Sequence, residues 1–136
     1  MASRNRTPIT VSPRAKVWFE VEGNYVFGLG ICCILEAVAE SGSIKAAAEL
    51  VGKSYRHVWS RIKEAEEALG ISLVETQVGG PDARRSSITD AASQLVKRYR
   101  RYREQVFSVV EKKFAEDIQA IVNEAANAPQ TTASDI

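Results

Sequence analysis

Residues 43–69 read SIKAAAELVGKSYRHVWSRIKEAEEAL, and this stretch decides the fold. Ser43 has the side chain of a helix N-cap, and Ile44 to Val51 form a short alanine-rich segment that Gly52 closes. Alanine is the best helix former, and the run Ala46, Ala47, Ala48 lets a neighbouring helix approach closely. Ser54 is a second N-cap, and Gly70 stops the helix it opens, Tyr55 to Leu69. In that helix Val58, Ile62, Ala65 and Leu69, spaced 4, 3 and 4 apart, make one buried stripe. Two helices joined by a tight glycine-containing turn are the pattern of a helix-turn-helix.

The flanking sequence extends this motif on both sides. Towards the N-terminus, AKVWFEVEG (15–23) alternates Val17, Phe19 and Val21 against polar neighbours, as a strand does. Gly23-Asn24 reads as a two-residue turn, and Tyr25 to Phe27 as the returning strand. Between Gly30 and Ser41 the period becomes helical, through Ile31, Ile34, Leu35 and Val38, and Gly42 ends the segment. Towards the C-terminus, SLVETQV (72–78) alternates again, Gly79-Gly80-Pro81-Asp82 is a turn, and Ile88 is a short returning strand after Arg84-Arg85-Ser86-Ser87. A hairpin with a basic tip directly after a helix-turn-helix is a wing.

Thr89 then caps a last helix, with Asp90 complementing its dipole and no breaker before Pro129. Residues 90–126 would form a helix about 55 Å long. Its stripe of Leu95, Tyr99, Tyr102, Val106, Val110, Phe114, Ile118, Ile121 and Ala125 takes eight steps over 30 residues, a mean of 3.75. That exceeds the spacing of about 3.5 in a left-handed coiled coil. The expected fold is therefore mainly α with small β-hairpins. A disordered arm (1–13) leads into a winged helix-turn-helix (14–89), a long dimerisation helix (90–126) and a disordered tail (127–136).

Composition agrees. At 136 residues, 45% hydrophobic and 26% charged, the chain is one ordinary domain that needs no disulfide or metal staple. No apolar run reaches the roughly 20 residues of a membrane span, and residues 1–13 lack a signal-peptide core, so a cytoplasmic location is expected. Cys32 and Cys33 are neighbours in an apolar stretch and read as reduced core or near-core residues. Charge is polarised. Residues 1–103 hold 16 Lys+Arg and 11 Asp+Glu, a net of +5, whereas residues 104–136 hold 2 and 6, a net of −4. A basic half suits a surface that meets phosphates.

In a helix-turn-helix the second helix enters the major groove by its N-terminal residues. With the apolar stripe facing inward, Lys53, Ser54, Arg56, His57, Ser60 and Arg61 face outward near its start. Arginine pairs bidentately with guanine, while lysine and a helix N-terminus suit phosphate. Tyr55 reads as core or as a phosphate contact, and Trp59 as a core residue at the edge of the helix pair. Arg84 and Arg85 on the wing tip suit phosphates or a minor groove. Lys97, Arg98, Arg100, Arg101 and Arg103 read equally as a backbone-facing cluster or as a solvated face. No metal-ligand spacing, catalytic constellation or cofactor loop is present, so neither an enzyme nor a cofactor is expected.

These residues resemble a known family. Gly42-Ser43-Ile44-x-Ala46-Ala47-Ala48, Gly52-x-Ser54-Tyr55-Arg56-x-x-Trp59, Leu69-Gly70, Leu73-Val74-Glu75-x-Gln77, Gly79-Gly80 and Ile88-Thr89-x-Ala91 resemble the N-terminal DNA-binding domain of ModE, the bacterial molybdate-responsive transcription regulators. The likeness covers roughly residues 14–105, and more loosely the region is similar to LysR-type winged helices. It implies a dimeric, sequence-specific DNA binder tied to molybdenum transport or metabolism. The sequence departs from the family in its wing, where Pro81, Asp82 and paired arginines replace glycine-rich sequence. It also stops after the long helix, where full-length members carry molybdate-binding domains.

A long helix with an uncovered apolar far half favours a homodimer through Tyr102, Val106, Val110, Phe114, Ile118 and Ile121. Two copies would present two recognition helices to a palindromic stretch of double-stranded DNA. The rival reading is a protein-interaction module that docks a partner on the long helix.

Overall fold

The computed structural model describes residues 9–79 and 84–127. Residues Lys16–Arg103 form one compact unit, and residues 9–15 with 104–127 belong to a second. The first unit contains β1 (Trp18–Val21), β2 (Asn24–Gly28), α1 (Leu29–Ser41), α2 (Ile44–Val51), α3 (Tyr55–Leu69), β3 (Val74–Val78), β4 (Arg84–Ile88) and the start of α4 (Asp90–Asp117).

Helices α2 and α3 occupy the residues the sequence predicts, because their ends are fixed locally. Ser43 Oγ accepts from the Ala46 amide at 3.1 Å, and Ser54 Oγ from the His57 amide at 3.1 Å. Gly52, between the helices, has φ 72°, where a side chain would be strained. Its amide donates to Glu49 O at 3.2 Å, and that of Lys53 donates to Ala48 O at 3.0 Å, closing α2 tightly enough for α3 to follow at once.

One turn differs from expectation. Val21 pairs with Asn24, so the loop of the first hairpin is Glu22-Gly23 rather than Gly23-Asn24. A two-residue loop of type I′, whose twist matches the strands, needs positive φ at both central positions. Glu22 and Gly23 supply it, at 51° and 82°, which leaves Asn24 to start β2.

The core gathers Phe27, Leu35, Val38, Ala47, Val58, Ile62, Leu73, Ala92 and Tyr99. Each fully buried Leu or Ile among them contributes about 1.5–3 kcal/mol. Tyr99 stands edge-on to Phe27, with ring centroids 5.3 Å apart, and its hydroxyl donates to Val17 O at 2.7 Å. The first hairpin is thereby tied to α4 by a buried phenol whose polar end is satisfied. Cys32 is buried, Cys33 is half-buried, and both are free. Burial, with Glu36 adding to it, pushes the Cys32 thiol up to about 11, so it packs as an apolar residue.

The wing is an antiparallel pair running from Val74↔Ile88 to Val78↔Arg84. Its second strand is longer than the sequence implies, and Arg84 and Arg85 lie in that strand instead of on a tip. Long-range bonding overrides the weak strand propensity of this segment. The Ser86 amide donates to Gly42 O at 2.8 Å, the Thr76 and Ser86 hydroxyls bond at 3.2 Å, and the Thr89 amide donates to Leu73 O at 3.0 Å. The turn expected at Gly79 to Asp82 falls largely on 80–83, outside the described residues.

The long helix differs too. Instead of one span over 90–126 there are α4 (Asp90–Asp117) and α5 (Gln119–Asn127), interrupted at Ile118. The Ile118 amide still donates to Phe114 O at 2.9 Å and the Val122 amide to Ile118 O at 3.0 Å, so the break is local. No glycine or proline lies there, and nothing in the structure explains it. In the second unit Val106, Phe107, Val110 and Phe114 are half-buried within the single chain, whereas Val109, Ile118 and Ile121 are exposed. The far half is thus less bare than the sequence suggests. The expected arm and tail fall mostly on 1–8 and 128–136, outside the described residues. Among the described residues no helix is long and apolar enough to cross a membrane.

Candidate nucleic-acid interface

The surface of α3 follows from turning 100° per residue. Val58, Ile62 and Ala65 are buried on one side. Arg56, Ser60, Lys63 and Glu67 therefore line the opposite side, with Tyr55 and Trp59 on one flank and His57 and Arg61 on the other. Lys53, Ser54, Tyr55, Arg56, His57 and Arg61 are exposed and Ser60 is half-buried, so the seven positions singled out in the sequence share one end of one helix. Ser54 Oγ already caps the helix. Arg56 has no ion-pair partner among the described residues and stands on the outermost line.

The flanks differ in chemistry. Trp59 is 44% exposed and Tyr55 48%, so Trp59 is not the core residue the sequence suggests. Val58 and Ile62 fill the core-facing arc, which turns the indole outward. Both rings border a groove of about 770 Å³, lined also by Ser43, Ile44 and Lys45 of the α2 start and by Thr76 and Ser86 of the wing. The Lys63 ammonium lies 5.8 Å from the Trp59 ring centroid. On the other flank, Lys53, His57 and Arg61 share a groove with Tyr25 and the first turn of α1. The Arg61 guanidinium sits 5.5 Å from the Tyr25 ring centroid and 3.7 Å from a Glu64 oxygen. Burial raises the Tyr25 phenol above its ordinary pKa, although the Ile31 amide and Arg61 oppose the shift. Tyr25 thus belongs to the surroundings of the recognition helix, a role that its place in a separate hairpin hid.

The carboxylates of α3 do not all point to solvent. Glu66 Oε2 accepts from the amides of Leu73 and Val74 at 2.8 and 3.2 Å, and Glu66 pairs with Lys63 at 3.2 Å. It ties the rear of α3 to the first strand of the wing, a role the sequence reading missed. Burial works against its charge, but the two amides and Lys63 outweigh burial and hold the carboxyl below its usual range.

On the wing, Arg85 is exposed beside a third groove shared with Gln77, Ser87 and the α1–α2 turn. The backbone of Arg84 pairs with Val78. The basic cluster at the start of α4 is divided. Arg100 donates to both Glu36 oxygens, at 2.6 and 3.2 Å, and to Cys33 Sγ at 3.7 Å, which makes it an internal clasp. Lys97, Arg98 and Arg101 are exposed. Of the residues expected to join two copies, Tyr102 lies edge-on to Phe19 at 5.6 Å, at the margin of the first unit's core. The others, Val106, Val110, Phe114, Ile118 and Ile121, belong to the second unit. Among the described residues no cluster of three or more His, Cys, Asp or Glu is placed to hold a metal ion.

A capped helix pair whose second helix exposes a basic N-terminal end, backed by a hairpin bonded to the preceding turn, defines a winged helix-turn-helix. Residues 32–93 match the family described as bacterial regulatory helix-turn-helix protein, lysR family. The chain is also similar to the molybdenum transport protein ModE of Herbaspirillum seropedicae, 35% identical over 63 residues, which are 46% of this chain and 23% of that protein. Similar solved structures include the CbnR DBD–DNA complex, at 24% identity over 63% of this chain and 93% of that one, TM-score 0.49. Another is ArgP from Mycobacterium tuberculosis, at 25% identity over 61% of this chain and 29% of that one, TM-score 0.45.

Proposed function

We propose that the chain is a DNA-binding transcription regulator of the LysR type that lays α3 in the major groove of double-stranded DNA. The observation that carries this reading is the division of α3. One side builds the core, while the other presents Lys53, Arg56, His57, Ser60 and Arg61 at the end that leads into a groove. Arg56 and Ser60, on the outermost line, read base edges. Lys53, Ser54, Tyr55, His57 and Arg61 meet the backbone beside them, and Arg84 and Arg85 of the wing meet phosphates further along. The second unit joins two copies through its apolar residues, so that paired recognition helices face a palindromic operator in the cytoplasm. The likeness to ModE supports a link between the regulated genes and molybdenum transport or metabolism.

The reading is tested by titrating labelled genomic fragments with the protein at rising salt. Each phosphate contact adds about −0.9 to the slope of log affinity against log salt, so affinity falls steeply. Binding that ignores salt overturns the reading. Footprinting on the chromosome tests the molybdenum link, which fails if the occupied sites lie nowhere near genes for molybdate uptake or use.

A further inference from the structure

The groove beside Trp59 has a composition of its own. Its walls carry two exposed aromatic rings, one isoleucine, one lysine and three hydroxyl residues, and no carboxylate among the described residues. An indole that its own chain leaves 44% exposed has no part in the core. It borders the base-reading line of α3, next to Ser60 and three residues from Arg56; Lys45 lines the groove, and Lys63 lies 5.8 Å from the indole centroid. Apolar faces beside a lysine complement one strand of a duplex, whose phosphates lie outside and whose thymines present a methyl group inside the major groove.

We propose that Trp59 is a specificity-determining residue that reads the 5-methyl group of a thymine, while the groove it forms with Tyr55 and Ile44 seats the strand bearing that base. This rests on the DNA-binding reading above and adds to it an apolar contact on the flank opposite Lys53, His57 and Arg61. The recognition helix is then asymmetric: charge and hydrogen bonds discriminate on its crest, and a methyl group is recognised by contact on one side. Lys63, paired with Glu66, lies over the indole and helps hold the ring against the helix.

The experiment begins with duplexes selected from a random library by the wild-type protein. Each thymine in the selected site is replaced in turn by deoxyuridine, which removes only the methyl group. One position in each half-site should then lose about fourfold in wild-type affinity, the worth of one buried methyl. Trp59→Ala should bind the thymine and deoxyuridine duplexes alike, and Trp59→Leu should recover part of the preference. Circular dichroism confirms that both variants fold, as expected for an exposed position. Deoxyuridine effects of equal size in wild type and Trp59→Ala overturn the proposal. So does a loss in Trp59→Ala that is the same on selected and random duplexes, which makes Trp59 a general strand contact. Unchanged DNA binding by Trp59→Ala also overturns it and leaves the groove to a protein partner. If the wild type enriches no sequence at all, the DNA-reading proposal itself fails, an outcome distinct from the other three.

Discussion

Two side chains on α3 show how a single position is given its task. Arg56 sits opposite the buried stripe, and no described carboxylate holds it back. Arg61 is held between the Tyr25 ring and Glu64. A free guanidinium on the crest can pair bidentately with guanine, whereas a clasped one is better placed for a phosphate. Arg56→Ala should therefore relax sequence preference and cost about 1–3 kcal/mol on a selected duplex, with a much smaller loss on random DNA. Competition titrations measure both, and equal losses would make Arg56 a phosphate contact. Glu66 has the opposite kind of task. Removing its carboxylate leaves two backbone amides of the wing without their acceptor. Glu66→Ala should cost about 1–3 kcal/mol in urea unfolding. The sign of the pH effect follows from the lowered folded-state pKa. The contribution of Glu66 is present above the unfolded-state value of about 4.3 and is lost as pH falls through the folded-state value. Wild-type stability should drop on acidification below that point, and Glu66→Ala should show a flatter profile. Parallel slopes in the two proteins would remove Glu66 from the account.

Among elements, α2 and α3 announce their limits, whereas the wing announces its first strand but not the length of its second. The limits of α2 and α3 were legible because Ser43, Ser54, Gly52 and Gly70 act within a few residues of where they stand. The buried stripe of α3 was legible because its spacing is local too. The second wing strand was not, since RRSSI has little strand character and is held by Thr76 across the hairpin and by Gly42, far away in the chain. The exposure of Trp59 was missed although the stripe had fixed the helix phase, because a large aromatic next to a core valine reads as core on its size alone. Glu66 escaped because a surface carboxylate on a helix usually faces water, and only the sharp turn after Gly70 brings two amides back to it. Thr89 joins both kinds of element. Its hydroxyl accepts from the Ala92 amide at 3.1 Å as the cap of α4 and donates to Ser72 O at 2.7 Å. Thr89→Val keeps the shape and removes both bonds. It should destabilise the fold by about 0.5–2 kcal/mol, with earlier hydrogen exchange in the first turn of α4 and in β3. An effect confined to α4 would show that the bond to Ser72 does not steady the wing.

The whole molecule turns on what the second unit does. Its C-terminal segment is opposite in charge to the rest of the chain, −4 over residues 104–136 against +5 over 1–103, so that segment has no electrostatic reason to lie on a duplex. Its apolar positions are graded. Val106, Val110 and Phe114 are half-buried within one chain, whereas Ile118 and Ile121 are 47% and 62% exposed. The distinction matters for testing the proposed homodimer. A charge at Phe114 would disturb the single chain as well as any seam between two copies. Charges at Ile118 and Ile121 fall where one chain leaves the side chain in water, so they cost a monomer little and a paired interface much. The double variant Ile118→Asp, Ile121→Asp should therefore sediment as a monomer at concentrations where the wild type sediments as a dimer, with unchanged helix content. On DNA the same variant should lose the preference for paired half-sites while keeping the preference within each half-site, because the reading helix is untouched and only the link between two copies is gone. A double variant that still sediments as a dimer would place the interface elsewhere, and one that still prefers paired half-sites would show that spacing is read without this seam.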